Sequence, residues 1–145
     1  MSDGGRISKI YICAPFLPET GSQEEKEQAI KVNKERILSA CKLLAKVGYM
    51  PLAPVLYFPH FVECGDSIKR HEMNLLTLEW LLSSDEVWVF GQGSVTDEMM
   101  QEIFAARKRG ITVRTMPEPA VLAQKILDGY AMQAQNKERE DKDHE

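Results

Sequence analysis

Cysteine is sparse in this chain, with three residues, Cys13, Cys41 and Cys64, set far apart and without a C-x-x-C pair. The histidines His60, His71 and His144 are equally scattered, so the ligand spacing of a structural zinc site is missing and no metal is expected. Basic charge is not in excess either: 18 Lys and Arg against 22 Asp and Glu give a formal net charge of −4. That balance argues against a broad electrostatic grip on nucleic acid, and no nucleic-acid polymer is expected as a partner. No apolar run approaches the roughly 18 to 20 residues needed to span a bilayer, and Met1 to Gly5 lacks the basic and apolar pattern of a signal peptide. The expectation is a cytoplasmic protein without a membrane partner. Neither G-x-G-x-x-G nor G-x-x-x-x-G-K-[ST] occurs, which disfavours a Rossmann dinucleotide domain and a P-loop NTPase.

What is present fits one domain around one core: 145 residues, of which 43% are hydrophobic. Lys9 to Ala14 reads as a first strand, and Glu24 to Val47 as a helix carrying Ile30, Ile37, Cys41 and Leu44 at helix-compatible positions, ended by Gly48. Tyr49 to Ala53 makes a short second strand. Pro54 to Gly65, with Pro54 and Pro59, reads as a long and partly irregular connection. Ser67 to Ser84 is a helix with Leu75, Leu78 and Leu82 on one stripe, followed by a strand from Glu86 to Phe90. Asp97 to Arg109 is the next helix, Ile111 to Arg114 a fourth strand, and Pro117 opens a final helix running to about Met132. Strands alternating with helices imply parallel βαβ units, hence an α/β fold: a three-layer, doubly wound, flavodoxin- or Rossmann-like sheet of about four to five mainly parallel strands. The domain is expected to occupy residues 1–132, with 133–145 a charged, disordered tail.

In such a fold ligands bind in the crevice at the carboxyl ends of the strands. The loops expected there carry Ala14, Pro15 and Phe16 after the first strand, Pro54, Tyr57 and Phe58 after the second, and Gly91 to Thr96 after the third. Phe16, Tyr57 and Phe58 offer aromatic walls for a planar base. Backbone amides and Thr96 offer contacts to a sugar or phosphate near a helix N-terminus, and Met99 adds an apolar contact. Each has a plainer reading: Phe58 packs under the long loop, and Thr96 serves only as an N-cap. Glu98 and Glu102 are four residues apart and share one helix face, and Asp97 adds negative charge to the first turn. First-turn acids commonly do no more than complement the helix dipole. Glu102 is the more suggestive because Met99, Ile103 and Phe104 surround it with apolar side chains.

Other residues read as structural. Cys13 and Cys41 fit small core positions, and Cys64 near His60 lacks the third group that orients a Cys/His nucleophile. Lys69, Arg70, His71 and Glu72 read as helix surface, although the first two can reach a phosphate. Trp80 and Trp88 read as core.

Several separated segments, taken together, resemble the nucleoside 2-deoxyribosyltransferase superfamily, including its deoxynucleoside monophosphate N-glycosidase branch, and within it the small uncharacterised bacterial and phage relatives. The segments are Ile10-Tyr11-Ile12-Cys13-Ala14-Pro15, Asn33 and Ala40, Gly48-Tyr49-Met50-Pro51-Leu52-Ala53-Pro54, Leu78 through Gly91, and Thr96 through Ile103 with Gly110-Ile111-Thr112-Val113. The resemblance spans roughly Lys9 to Arg114 and implies the same α/β fold. In that superfamily a Ser-x-Gly-x-x-x-Glu pattern carries the catalytic glutamate, and Thr96, Glu98 and Glu102 occupy its three defined positions. Glu102 is thereby implied as the nucleophile that attacks the anomeric carbon of a 2-deoxyribosyl group, with no metal or redox cofactor required. The chain departs from the pattern twice. Thr77, eight residues before Asp85, stands where the enzymes carry an aspartate, and Glu98 stands where they carry glycine. Glu98 beside Glu102 can restore an acid, since two close carboxylates hold one protonated.

Three functions remain open at this level: an N-glycosidic-bond hydrolase or 2-deoxyribosyltransferase, a noncatalytic binder of a nucleotide or nucleotide-derived signal, and a protein-interaction module. The partner expected for the first two is a nucleoside or nucleotide. A homo-oligomer is also implied, because the resembling enzymes often complete a site with a neighbouring subunit. Val121, Leu122, Ile126 and Leu127 on the last helix can serve that contact or pack on the sheet.

Overall fold

Four consecutive residues of the first strand, Ile10 to Cys13, are each no more than 4% exposed, so the strand is covered on both faces and the sheet must lie between two helical layers. The computed structural model describes residues 6–18, 20–61, 67–91 and 95–129, with backbone alone at 67–70. It contains strands β1 (Lys9–Cys13), β2 (Met50–Leu52), β3 (Glu86–Val89) and β4 (Thr112–Thr115) in the spatial order β2-β1-β3-β4. Every pairing is parallel: Tyr11 sits opposite Leu52 and Val87, and Val87 opposite Val113. Helices α1 (Gln23–Lys46), α2 (Ser67–Leu82) and α3 (Asp97–Lys108) connect them, and residues 119–129 form α4.

Alternation along β1 divides the core in two. Ile10 and Ile12 pack with Ile37, Ala40 and Leu44 of α1, and Leu122 of α4 joins that face. Tyr11 and Cys13 face the other way, onto Leu81 of α2 and Met99 and Ala106 of α3. The fold is therefore the expected three-layer α/β sheet. Cys13 is buried and Cys41 half-buried, and burial pushes both thiols above their ordinary range, Cys41 to about 11. Among the described residues no helix is long and apolar enough to cross a membrane.

Most element boundaries differ from expectation by one or two residues, β2, β4 and the last helix among them. β2 is shorter than Tyr49 to Ala53, because the Tyr49 amide is taken by the Leu44 carbonyl of α1 and Ala53 leads into a 3₁₀ turn at Pro54–Leu56; as an edge strand β2 tolerates Pro51 inside it. β4 begins one residue later than Ile111. The last helix starts after Pro117, because the residue before a proline disfavours helical angles: Glu118 stays outside and Pro119 takes the first helical position. Leu122 of this helix packs into the core while Val121 and Leu127 are exposed. The tail at 133–145, and Cys64, lie outside the described residues.

Candidate functional site

The order β2-β1-β3-β4 reverses direction between β1 and β3, which makes the carboxyl ends of those two strands the switch point where a crevice opens. A cleft of about 500 Å³, open to solvent, lies there. Ala14, Phe16 and Leu17 line it from the loop after β1, and Val55 from the turn after β2. Met73, Asn74 and Thr77 contribute from α2, and Thr96, Glu98, Met99 and Glu102 from α3. Its walls are apolar and its floor acidic.

Local chemistry aims the acids. Thr96 caps α3, its Oγ1 accepting from the Met99 amide at 3.2 Å, and the fully buried Met99 pins the first turn against the sheet. Helical spacing then brings Glu98 and Glu102 to one face, one turn apart. Glu102 reaches down toward β1, where the Tyr11 hydroxyl donates to its carboxyl. Its Oε2 is buried and has no hydrogen-bond partner. Burial pushes the Glu102 carboxyl up to about 7; the neighbouring Glu98 charge raises it and the Tyr11 bond partly offsets the rise. Tyr11, itself buried and facing this carboxylate, is held well above the usual phenol range.

A second cavity of about 690 Å³ opens beyond the acids, sharing Asn74, Thr77, Glu98 and Glu102 with the first and adding His71 and Gln101. Thr77 thus lies in the wall common to both, and its hydroxyl donates to the Asn74 carbonyl at 2.9 Å, inside its own helix.

The structure brings together Ala14, Phe16, Thr96, Glu98, Met99 and Glu102 of the residues expected at the site. Pro15, Pro54, Tyr57, Phe58 and Gly91 do not line the cleft. Pro15 and Gly91 abut one another behind it, and Pro54 is fully buried. Tyr57 stacks on Trp80, centroids 5.6 Å apart at 16°, while Phe58 is buried against the same indole at 5.0 Å. Trp88 is buried in the core, with Nε1 donating to Glu86 at 2.9 Å. Sequence reasoning missed Tyr11, Leu17, Val55, Met73 and Asn74. Tyr11 left one signal: it is the single hydroxyl among the apolar residues Ile10 to Cys13, and a buried phenol needs a partner.

The Phe16 loop is tied down from below. Asn33 Nδ2 donates to the Phe16 carbonyl at 3.1 Å, Arg36 Nη1 donates to Asn33 Oδ1 at 3.0 Å, and Arg36 Nε pairs with Glu118 at 3.0 Å. Arg36→Ala is expected to cost about 1–2 kcal/mol in urea unfolding, because the guanidinium is partly buried and joins two partners. It should also speed amide exchange at Phe16 and Leu17; unchanged exchange there would show that Arg36 does not hold the loop.

Comparison with known proteins follows the fold. A family model described as "Domain of unknown function (DUF7768)" matches residues 8–116. No curated protein matches the chain. Among solved structures it is similar to a 2-deoxyribosyltransferase from the psychrotolerant bacterium Bacillus psychrosaccharolyticus, with a TM-score of 0.58 at 20% identity over 76% of this chain and 72% of that one. It is also similar to the Clostridium botulinum CMP N-glycosidase BcmB, with a TM-score of 0.47 at 14% identity over 85% of this chain and 99% of that one. The first of these is a likeness of fold.

Proposed function

The chain belongs to the DUF7768 family, and we propose that it cleaves the N-glycosidic bond of 2-deoxynucleosides, with Glu102 as nucleophile. The observation that carries this reading is a half-buried glutamate with one buried, unpartnered carboxylate oxygen in the strand-end crevice. Similarity of fold to a 2-deoxyribosyltransferase supports the substrate class. In the proposed step a Glu102 oxygen forms a bond to the anomeric carbon as the bond from that carbon to the base nitrogen breaks; the bonding pair leaves with the base, which takes a proton from water. Water, or a second base, then opens the glycosyl ester and frees the carboxylate. Phe16, Leu17, Val55 and Met73 would shelter the planar base, and Asn74 would hydrogen-bond it. Tyr11 holds the carboxylate in place and favours its charged form.

The test is to incubate wild type and Glu102→Ala with 2′-deoxynucleosides and their 5′-monophosphates and to separate the released bases by chromatography. Release by wild type alone is expected, and exchange of one base for another supplied in excess would mark transfer rather than hydrolysis. Ligand-induced thermal stabilisation with no release anywhere would make the protein a binder instead.

A further inference from the structure

Glu98 lines both arms of the crevice and stands at the wall they share. Glu102 lines both as well, with its buried Oε2 unpartnered. Among the described lining residues of the first cleft there is no lysine, arginine or histidine, and those of the second include one histidine, His71. The N-terminus of α3 would ordinarily attract a phosphate, but the chain's own groups occupy part of it and make it acidic. Asp97 and Glu98 place two carboxylates in its first turn, and the amides of Met99 and Met100 donate to the Thr96 side chain and carbonyl. A carboxylate is an acceptor only, suited to a hydroxyl donor and opposed to a second anion.

From this geometry we propose that Glu98 determines specificity, accepting a sugar hydroxyl so that the site takes the neutral 2-deoxynucleoside and rejects its 5′-monophosphate. The inference rests on the deoxynucleoside reading above and adds to it the charge of the substrate. With the anomeric carbon at Glu102 and a sugar hydroxyl on Glu98, one turn away on the same helix face, the proposed pose turns the 5′ end toward Glu98. A phosphate there meets the Glu98 charge at a separation where repulsion is worth about a tenfold loss of affinity or more.

Calorimetric titration of wild type, Glu98→Gln and Glu98→Lys with one 2′-deoxynucleoside and its 5′-monophosphate tests it. Wild type is expected to bind the nucleoside about tenfold or more tightly than the monophosphate, with the ratio narrowing as salt is raised. Glu98→Gln, which keeps the shape, should bring the ratio near one, and Glu98→Lys should invert it. Circular dichroism on each variant secures that the fold is intact. A wild-type protein that binds the two equally or prefers the monophosphate overturns the inference while leaving the deoxynucleoside reading standing, as does a ratio that Glu98→Gln does not move. Binding of neither ligand by the folded wild type overturns that reading and this inference with it.

Discussion

Glutamine at position 102 will lower base release by about a thousandfold or more and, above neutral pH, make the protein more stable than wild type. The loss follows from removing the proposed nucleophile, since nucleophile replacements commonly cost several orders of magnitude. The gain in stability follows from the carboxyl's surroundings. In the folded chain the Glu102 carboxyl titrates at about 7, against 4.5 for an ordinary glutamate, mainly because its charged form is buried. A raised acid binds its proton more tightly when folded than when unfolded. The contribution is therefore fully present below about pH 4.5, is lost as pH rises from there through about 7, and stays lost above. The rise corresponds to an upper bound of about 3 kcal/mol. The amide brings a donor that needs its own partner, which reduces the expected advantage of Glu102→Gln at pH 8 to about 2 kcal/mol, vanishing near pH 4.5. Urea midpoints for both proteins at the two pH values measure it; curves that shift in parallel would show the carboxyl is not the source.

In the proposed reaction the same group would set the acid limb. Attack requires the ionised form, so kcat/KM in wild type should rise with pH to a plateau above about 7. Function and stability pull in opposite directions at this residue, as they do where a site holds a charge the fold would otherwise neutralise.

How much of this was legible beforehand depended on where the information lies along the chain. The apolar run Val87 to Phe90 and the helical stripe through Leu78 and Leu82 fix their elements locally, and Thr96 followed by acids marks a helix start. The layer structure follows from the alternation of such segments. Glu98 and Glu102 were readable as a pair because helical spacing is itself local. Tyr11 was not, because the group that its hydroxyl meets is on α3, five helices and strands further on. Tyr57 and Phe58 show the same limit from the other side. Their loop has no periodicity, and their rings come to rest on Trp80 of α2, whose position no local pattern announces. Pro54 and Pro119, by contrast, carried their effects openly: the first starts the 3₁₀ turn that follows β2 and the second sets the start of α4, each by a rule of backbone geometry.

Alanine at position 91 is expected to destabilise the fold by roughly 2–4 kcal/mol, the largest stability loss predicted for a single added methyl group. Two separate terms make up the figure. Gly91 has φ of +88°, where a side chain strains the backbone by about 1–2 kcal/mol. A Cβ there would also sit 2.6 Å from Cδ and 2.9 Å from Cγ of Pro15. A proline ring cannot rotate out of the way, so either β3's exit or the loop after β1 must move, and these are the two segments whose close approach forms the back of the crevice. Gly110 separates the terms, because its φ of +82° is similar while an added Cβ meets nothing within 4 Å. Gly110→Ala should therefore cost the backbone strain alone, and Gly91→Ala that strain plus the clash. Urea unfolding of the two variants gives the difference. Equal losses would mean that the Pro15 loop yields freely; a greater loss at Gly91, accompanied by weaker nucleoside binding, would show that the packing of Pro15 on Gly91 holds the Phe16 wall in place.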